Sequence, residues 1–435
     1  MPETASVEEQ VLALLRSGTR NLPGGSVGGY SLPEDCRFVA SHGEGPYLFD
    51  TAGRRYVDFV AGAGTLMLGH CAPSVTAAIV DQARKGTIFF GSLTESIVAL
   101  AEELVRAIPC AQMIAFATTG SEATMYAMRL ARAYTKRSKI LKFEGGYHGN
   151  HDYAQIATTP KTQSDYPRGL PDTAGIVPSL VPSLLVAQFN NLDSVEAILK
   201  EQAAEIAAVI VEPIQRGIPP APGFLEGLRD LTKRHGVVLI FDEVVTGFRL
   251  AYGGAQEYFG VVPDLATYGK IIGGGLALGA VAGSAEIIVA SNPGDRGKDG
   301  FVLVNGTQHG NPMAAAAGLA MLRELRVPGF YRELNDRSES FRGQLSDIVA
   351  RTGLPAVVTG LASLWHVVFA ERPPANHADM LRSDLARLRA FDTELIRQGV
   401  FVLPGVRRLI TAAHDSAALE LAANALTRAA EKLRR

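Results

Sequence analysis

The chain has 435 residues, 47% of them hydrophobic and 20% charged, with 42 Lys+Arg against 44 Asp+Glu and a net charge of −2. That length suits two or three domains, and that composition supports a buried core and excludes a disordered chain. The near-neutral balance argues against a protein that neutralises nucleic-acid phosphates or coats an anionic membrane.

In chain order, the acidic, polar opening MPETASVEEQ does not read as a signal peptide. Ser6 and Glu9 form a capping-box pair that predicts a helix from there to about Arg16. NLPGGSVGGYS, residues 21–31, reads as a glycine-rich loop, and residues 47–49 and 56–59 as short strands around the turn Asp50-Thr51-Ala52-Gly53. From about residue 90, helical stretches alternate with apolar runs at 113–117, 140–143, 208–211, 237–241 and 265–268. Alternation of that kind predicts a mainly parallel sheet with helices on both faces. Residues 158–183 carry five prolines and no period, which predicts a long functional loop. The longest apolar run, 271–285, is interrupted by glycine and is too short to span a bilayer. Residues 313–325 and 331–349 read as amphipathic helices, 362–369 and 399–403 as strands of a smaller α+β unit, and 416–432 as the last helix. Cys36, Cys71 and Cys110 are widely spaced, which argues against a disulfide framework or structural zinc and for the cytoplasm.

Three segments carry chemistry. Thr118-Thr119-Gly120-Ser121-Glu122-Ala123 lies between a strand and a helix. It is either an ordinary N-cap or an anion site, where free N–H groups and the helix dipole meet a phosphate. Asp242 ends the strongly apolar run 237–241, at the strand end where open α/β sheets bind ligands. Its carboxylate either holds a protonated ring nitrogen or makes a structural cap or ion pair. Lys270 sits between an apolar strand and Ile271-Ile272-Gly273-Gly274-Gly275. Apolar surroundings favour the neutral amine, the nucleophile a Schiff base needs. A phosphate cradle, a ring-nitrogen partner and an imine-forming lysine are the parts that pyridoxal 5′-phosphate requires. His148 and His151 in GYHGNHD lack metal-site spacing, and no metal is expected.

With these segments in order, the chain resembles the class III aminotransferases of pyridoxal-phosphate fold type I, and within them the glutamate-1-semialdehyde 2,1-aminomutase family. The resemblance covers about residues 20–430 and rests on Pro23-Gly24-Gly25, Leu68-Gly69-His70, TTGSEAT, KFEGGYHG, VIVEP, FDEVVTGFR, GVVPDL, GKIIGGG and GTQHGNP. It implies an α/β fold: a large cofactor-binding domain at 61–315, with residues 1–60 and 316–435 forming the small α+β domain. Lys270 is then the Schiff-base lysine and proton carrier, and Asp242, 28 residues earlier (270 − 242), the partner of the pyridine nitrogen. Thr119, Gly120 and Ser121 hold the phosphate; Tyr147 and Val244 cover the two ring faces, and Glu212 supports the site. Thr307 reaches the neighbouring subunit's phosphate, which implies a homodimer with shared active sites acting on small-molecule amine and keto substrates. The pattern departs from the aminomutase in three places. Ser31 stands where the aminomutase has a carboxylate-gripping arginine, Ala63 lies in a segment that there carries a tryptophan, and no acid occurs near 406–408. Arg407 and Arg408 are candidate replacement anchors, or else solvated charges. These departures predict a transaminase. The alternatives are the aminomutase itself, an amino-acid epimerase, or a non-catalytic binding protein on the same fold.

Overall fold

The computed structural model describes residues 6–434. MPETA, on which part of the signal-peptide expectation rests, and Arg435 lie outside the described residues. The chain divides into two compact units, one from Pro73–Glu333 with Pro374–Arg382, the other from Met1–Ala72, Leu334–Pro373 and Ser383–Arg435.

The larger unit is built on seven strands: β1 (Met113–Ala117), β2 (Lys139–Phe143), β3 (Leu184–Ala187), β4 (Ile206–Val211), β5 (Val238–Asp242), β6 (Leu265–Tyr268) and β7 (Gly279–Gly283). Their order across the sheet is β1-β7-β6-β5-β4-β2-β3. β3 to β6 and β2 pair in parallel, while β7 runs antiparallel to both β6 and β1. β4 and β5 are buried along their whole length, so they read as unbroken apolar runs. The helix Gly120–Thr135 presents Ala123, Ala127, Met128 and Ala131 to a core that includes Ile140, Ile210, Ile240 and Val281. The small residues on that stripe let the helix lie close to the sheet. No helix among the described residues is long and apolar enough to cross a membrane.

Two strands escape periodicity. β3 follows the proline-rich segment directly. β7 is GAVAG, poor in β-branched residues, and lies inside the apolar run 271–285. Its glycines are required by close approach: a Cβ on Gly279 would sit 2.3 Å from the carbonyl oxygen of Thr119. The expected loop at 158–183 is tied down rather than loose. Lys142, fully buried in β2, donates to Ala154 O (2.9 Å), Ile156 O (2.7 Å) and Thr158 Oγ1 (3.1 Å). Burial pushes its amine down to about 7, with Asp172 and Glu212 opposing. Asp172 accepts from the N–H groups of Thr158 (2.6 Å) and Thr159 (2.9 Å), and Glu144 from the hydroxyl of Tyr166 (2.7 Å). The segment ends in the short helical turn Pro178–Ser183.

The smaller unit is α+β and draws on both ends of the chain. Ala40–Glu44, Tyr47–Asp50 and Arg55–Asp58 form a meander, and Val400–Phe401 joins it in parallel. Val357–Thr359, Leu364–Val368 and Arg408–Leu409 form a second sheet. The single tryptophan, Trp365, is fully buried edge-on to Phe59 (5.1 Å) and Phe341 (5.5 Å). The first helix has its capping box but runs from Val7 to Asn21, beyond the expected end, until Pro23 follows.

Candidate active site

The three chemical segments converge at the strand ends of the larger unit. Thr119 is the N-cap of the helix Gly120–Thr135, its hydroxyl accepting from Glu122 N at 3.1 Å, while Glu122 reaches back to Thr118 N at 2.7 Å. The segment is an N-cap, and it leaves the N–H groups of the first turn at the mouth of the helix, where an anion could be held. A Cβ on Gly120 would lie 2.8 Å from both methyls of Val244, and one on Gly269 would lie 3.4 Å from Gly120 N and from Val244 Cγ1. The backbone before Lys270, the helix start at Gly120 and the residue after the Asp242-Glu243 pair thus meet in close packing. Any side chain at Gly120 would fill that cradle. Ser121 Oγ accepts from the N–H of Asn150, which brings GYHGN onto the same helix terminus.

Lys270 opens a tight turn, Lys270–Gly273, with φ of 50° and its side chain half-buried. The turn is wedged against the helix Pro312–Leu325: a Cβ on Gly318 would sit 1.9 Å from Ile272 O. Asp242 is 5% exposed at the end of β5. Its Oδ2 lies 2.7 Å from His148 Nδ1, and its Oδ1 accepts from Thr267 Oγ1 and Val244 N, both at 3.2 Å. His148 is itself buried, with Nε2 unpartnered among the described residues. Sequence reasoning weighs His148 only as a metal ligand and passes over its link to a carboxylate far along the chain. No group of three or more His, Cys, Asp or Glu that could hold a metal occurs among the described residues.

Tyr147 is 39% exposed. Its N–H donates to Glu212 Oε2 at 2.9 Å and its hydroxyl to Asn150 Oδ1 at 3.1 Å, which gives Glu212 a concrete supporting contact. Thr307 is exposed on a cavity of about 290 Å³ lined also by Phe89, Phe90, Leu93, His309 and Asn311. His309 lies 3.5 Å from Glu122, so the GTQHGNP loop abuts the first turn of the helix Gly120–Thr135.

The candidate substrate residues belong to the smaller unit. Ser31 is exposed, and Ala63 is exposed with a left-handed φ of 58°. Arg408 does not fit the part of a substrate anchor. It is 1% exposed, ion-paired to Asp392 and hydrogen-bonded to His366, with its guanidinium 5.2 Å from the centroid of Trp365. Burial, together with Arg408 and Arg407 nearby, keeps His366 well below its usual range, so its neutral Nδ1 accepts from Arg408. Arg407 is half-buried beside this pin.

The family model for class-III aminotransferases matches residues 31–413. The chain belongs to that family. Glutamate-1-semialdehyde 2,1-aminomutase 2 of Brevibacillus brevis is 42% identical over 365 residues, 83% of each chain. An omega-transaminase from Sphaerobacter thermophilus superposes with a TM-score of 0.92 at 33% identity, covering 100% of this chain and 99% of that one. A variant glutamate-1-semialdehyde aminomutase from Pseudomonas aeruginosa PAO1, in complex with PMP, gives 0.88 at 27% identity, covering 98% and 95%. The fold is therefore fold type I, and the cofactor of this class-III chain is pyridoxal 5′-phosphate. The residues present fit it: a helix mouth with free N–H groups, a buried carboxylate and a lysine converge on one cradle.

Proposed function

We propose that this class-III chain is a transaminase, moving an amino group between an amine or amino-acid donor and a keto acceptor in a ping-pong cycle. The observation that carries the reading is position 31. The resemblance to the aminomutases implies a carboxylate-gripping arginine there; this chain has an exposed serine. Serine cannot replace a bidentate, charge-assisted contact. Arg408 is committed to Asp392, which leaves Arg407 as the proposed anchor. The resemblance implies a tryptophan in the segment where this chain has the much smaller Ala63.

Bound pyridoxal 5′-phosphate supplies the electron sink that lets an α-proton leave. The rest belongs to the chain. Thr119, Gly120 and Ser121 hold the phosphate at the helix mouth. Tyr147 and Val244 confine the ring. Asp242 keeps a proton on the ring nitrogen. Lys270 Nζ provides the nucleophile and then removes the proton from the donor α-carbon, its approach fixed by the wedged turn.

A second reading, the aminomutase, is favoured by the names of the curated relatives, at 42% and 43% identity. One comparison separates the two: turnover of glutamate-1-semialdehyde against amine donors paired with pyruvate or 2-oxoglutarate. We expect keto product and transfer to the acceptor. Efficient conversion of the semialdehyde to 5-aminolevulinate, with no transfer to any keto acid, overturns the transaminase reading.

We also assign the chain to a homodimer with shared sites, in the cytoplasm. Phe90 and Leu93 are 69% and 83% exposed beside Thr307, an apolar patch that suits a second copy. Three free cysteines suit a reducing compartment. Light scattering should give twice the chain mass, and activity should fall on dilution below the dimer constant. A fully active monomer at nanomolar concentration is incompatible with this assignment.

A further inference from the structure

Arg216 stands where an arginine is not at ease. Gln215 and Ile218 exchange both backbone hydrogen bonds, at 2.9 and 2.8 Å, so Arg216 and Gly217 are the central pair of a two-residue turn. Both have positive φ, 55° and 99°. Glycine and asparagine suit such positions, and an arginine there carries backbone strain. What its side chain does accounts for its presence. Nε donates to Gly145 O at 3.2 Å, Nη2 reaches Thr158 O at 3.5 Å, and the guanidinium carbon lies 5.4 Å from the ring centroid of Tyr147.

Tyr147 already has its backbone held by Glu212 and its hydroxyl by Asn150. The guanidinium covers one face of its ring. We infer that Arg216 is a positioning residue for the cofactor: it clamps Tyr147 from behind, leaves the other face for stacking, and ties that ring to the start of the loop at Thr158. The inference rests on the reading that Tyr147 stacks on pyridoxal 5′-phosphate. Cation–π contact and the planar fork are both needed, since the same group must lie flat and donate sideways.

The test is a titration of apoprotein with pyridoxal 5′-phosphate, read by protein fluorescence and by the visible band, beside the thermal midpoint of each apoprotein. In Arg216→Gly, relief of turn strain offsets the lost contacts, so the apo midpoint should move by less than about 3 °C. Cofactor Kd should nevertheless rise about ten-fold or more, with a displaced visible band. Arg216→Lys should fall between the two. In a Tyr147→Leu background, Arg216→Gly should cause no further loss of affinity, because the arginine acts through that ring. An Arg216→Gly protein that binds within two-fold of wild type overturns the inference. So does one whose midpoint collapses together with affinity, or one that loses as much affinity in the Tyr147→Leu background. A wild-type protein that takes up no pyridoxal 5′-phosphate at all instead removes the underlying reading of the site.

Discussion

Lys270→Ala is expected to lower amino transfer by at least about a thousand-fold while the protein still takes up pyridoxal 5′-phosphate. The two halves of that result have separate causes. Turnover fails because the variant loses both the nucleophilic amine and the group that moves the α-proton. Uptake survives because the lysine side chain is not what shapes the cradle. Gly120, Gly269 and Val244 are in mutual contact through backbone and short side chains, and the turn Lys270–Gly273 is wedged against the helix Pro312–Leu325 by Gly274 and Gly318. Alanine accepts a φ of 50° less readily than glycine but no worse than lysine, so the turn keeps its geometry. Borohydride reduction of the wild type should attach the cofactor to one peptide, the one that contains Lys270, and the alanine variant should remain unlabelled. A label on another lysine, or near-normal turnover in the variant, rules out the assignment.

Much of this arrangement is legible in the sequence because it rests on local patterns. β4 and β5 are buried on both faces, so their sequences are continuous apolar runs, and Asp242 stands out as the first polar residue at the end of one. Thr119 and Glu122 announce a helix start by their spacing, and the structure uses them so. What escapes depends on partners distant in sequence. His148 lies 94 residues from Asp242, and nothing in GYHGNHD says that its ring will face that carboxylate. Lys142 reads as an ordinary strand residue; its role comes from carbonyls that the loop at 154–158 turns back to present. β7 has little strand propensity to detect, since close approaches to Thr119 and to Asp264 require its two glycines. Arg408 misleads for the same reason: a candidate replacement anchor looks available until Asp392 and His366 are seen to enclose it. The mutual distances that make a site are set by packing, and periodicity carries no distances.

Asp242→Asn should cost nearly as much turnover as loss of Lys270, about a hundred- to a thousand-fold, and should weaken cofactor binding as well. The carboxylate is 5% exposed, and its oxygens are already divided between His148 on one side and Thr267 with Val244 N on the other. Three groups converging on one buried carboxylate fix its plane at the end of β5. Asparagine keeps the shape and can still accept from Thr267 and Val244, but it brings no charge. Its amide group also presents N–H where His148 Nδ1 now approaches, a contact that survives only with the histidine proton on Nε2. His148→Asn should give a smaller loss of the same kind, about ten-fold, because the carboxylate remains in place but loses the partner that orients it. Adding His148→Asn to Asp242→Asn should cost little more, since the histidine acts through the carboxylate. The measurement is the single-turnover rate of α-proton removal with a deuterated donor, together with the visible band of the loaded protein. Near-normal rates in Asp242→Asn mean that the carboxylate only caps the end of β5. Full additivity of the two substitutions means that His148 works elsewhere, and the 2.7 Å contact is then structural.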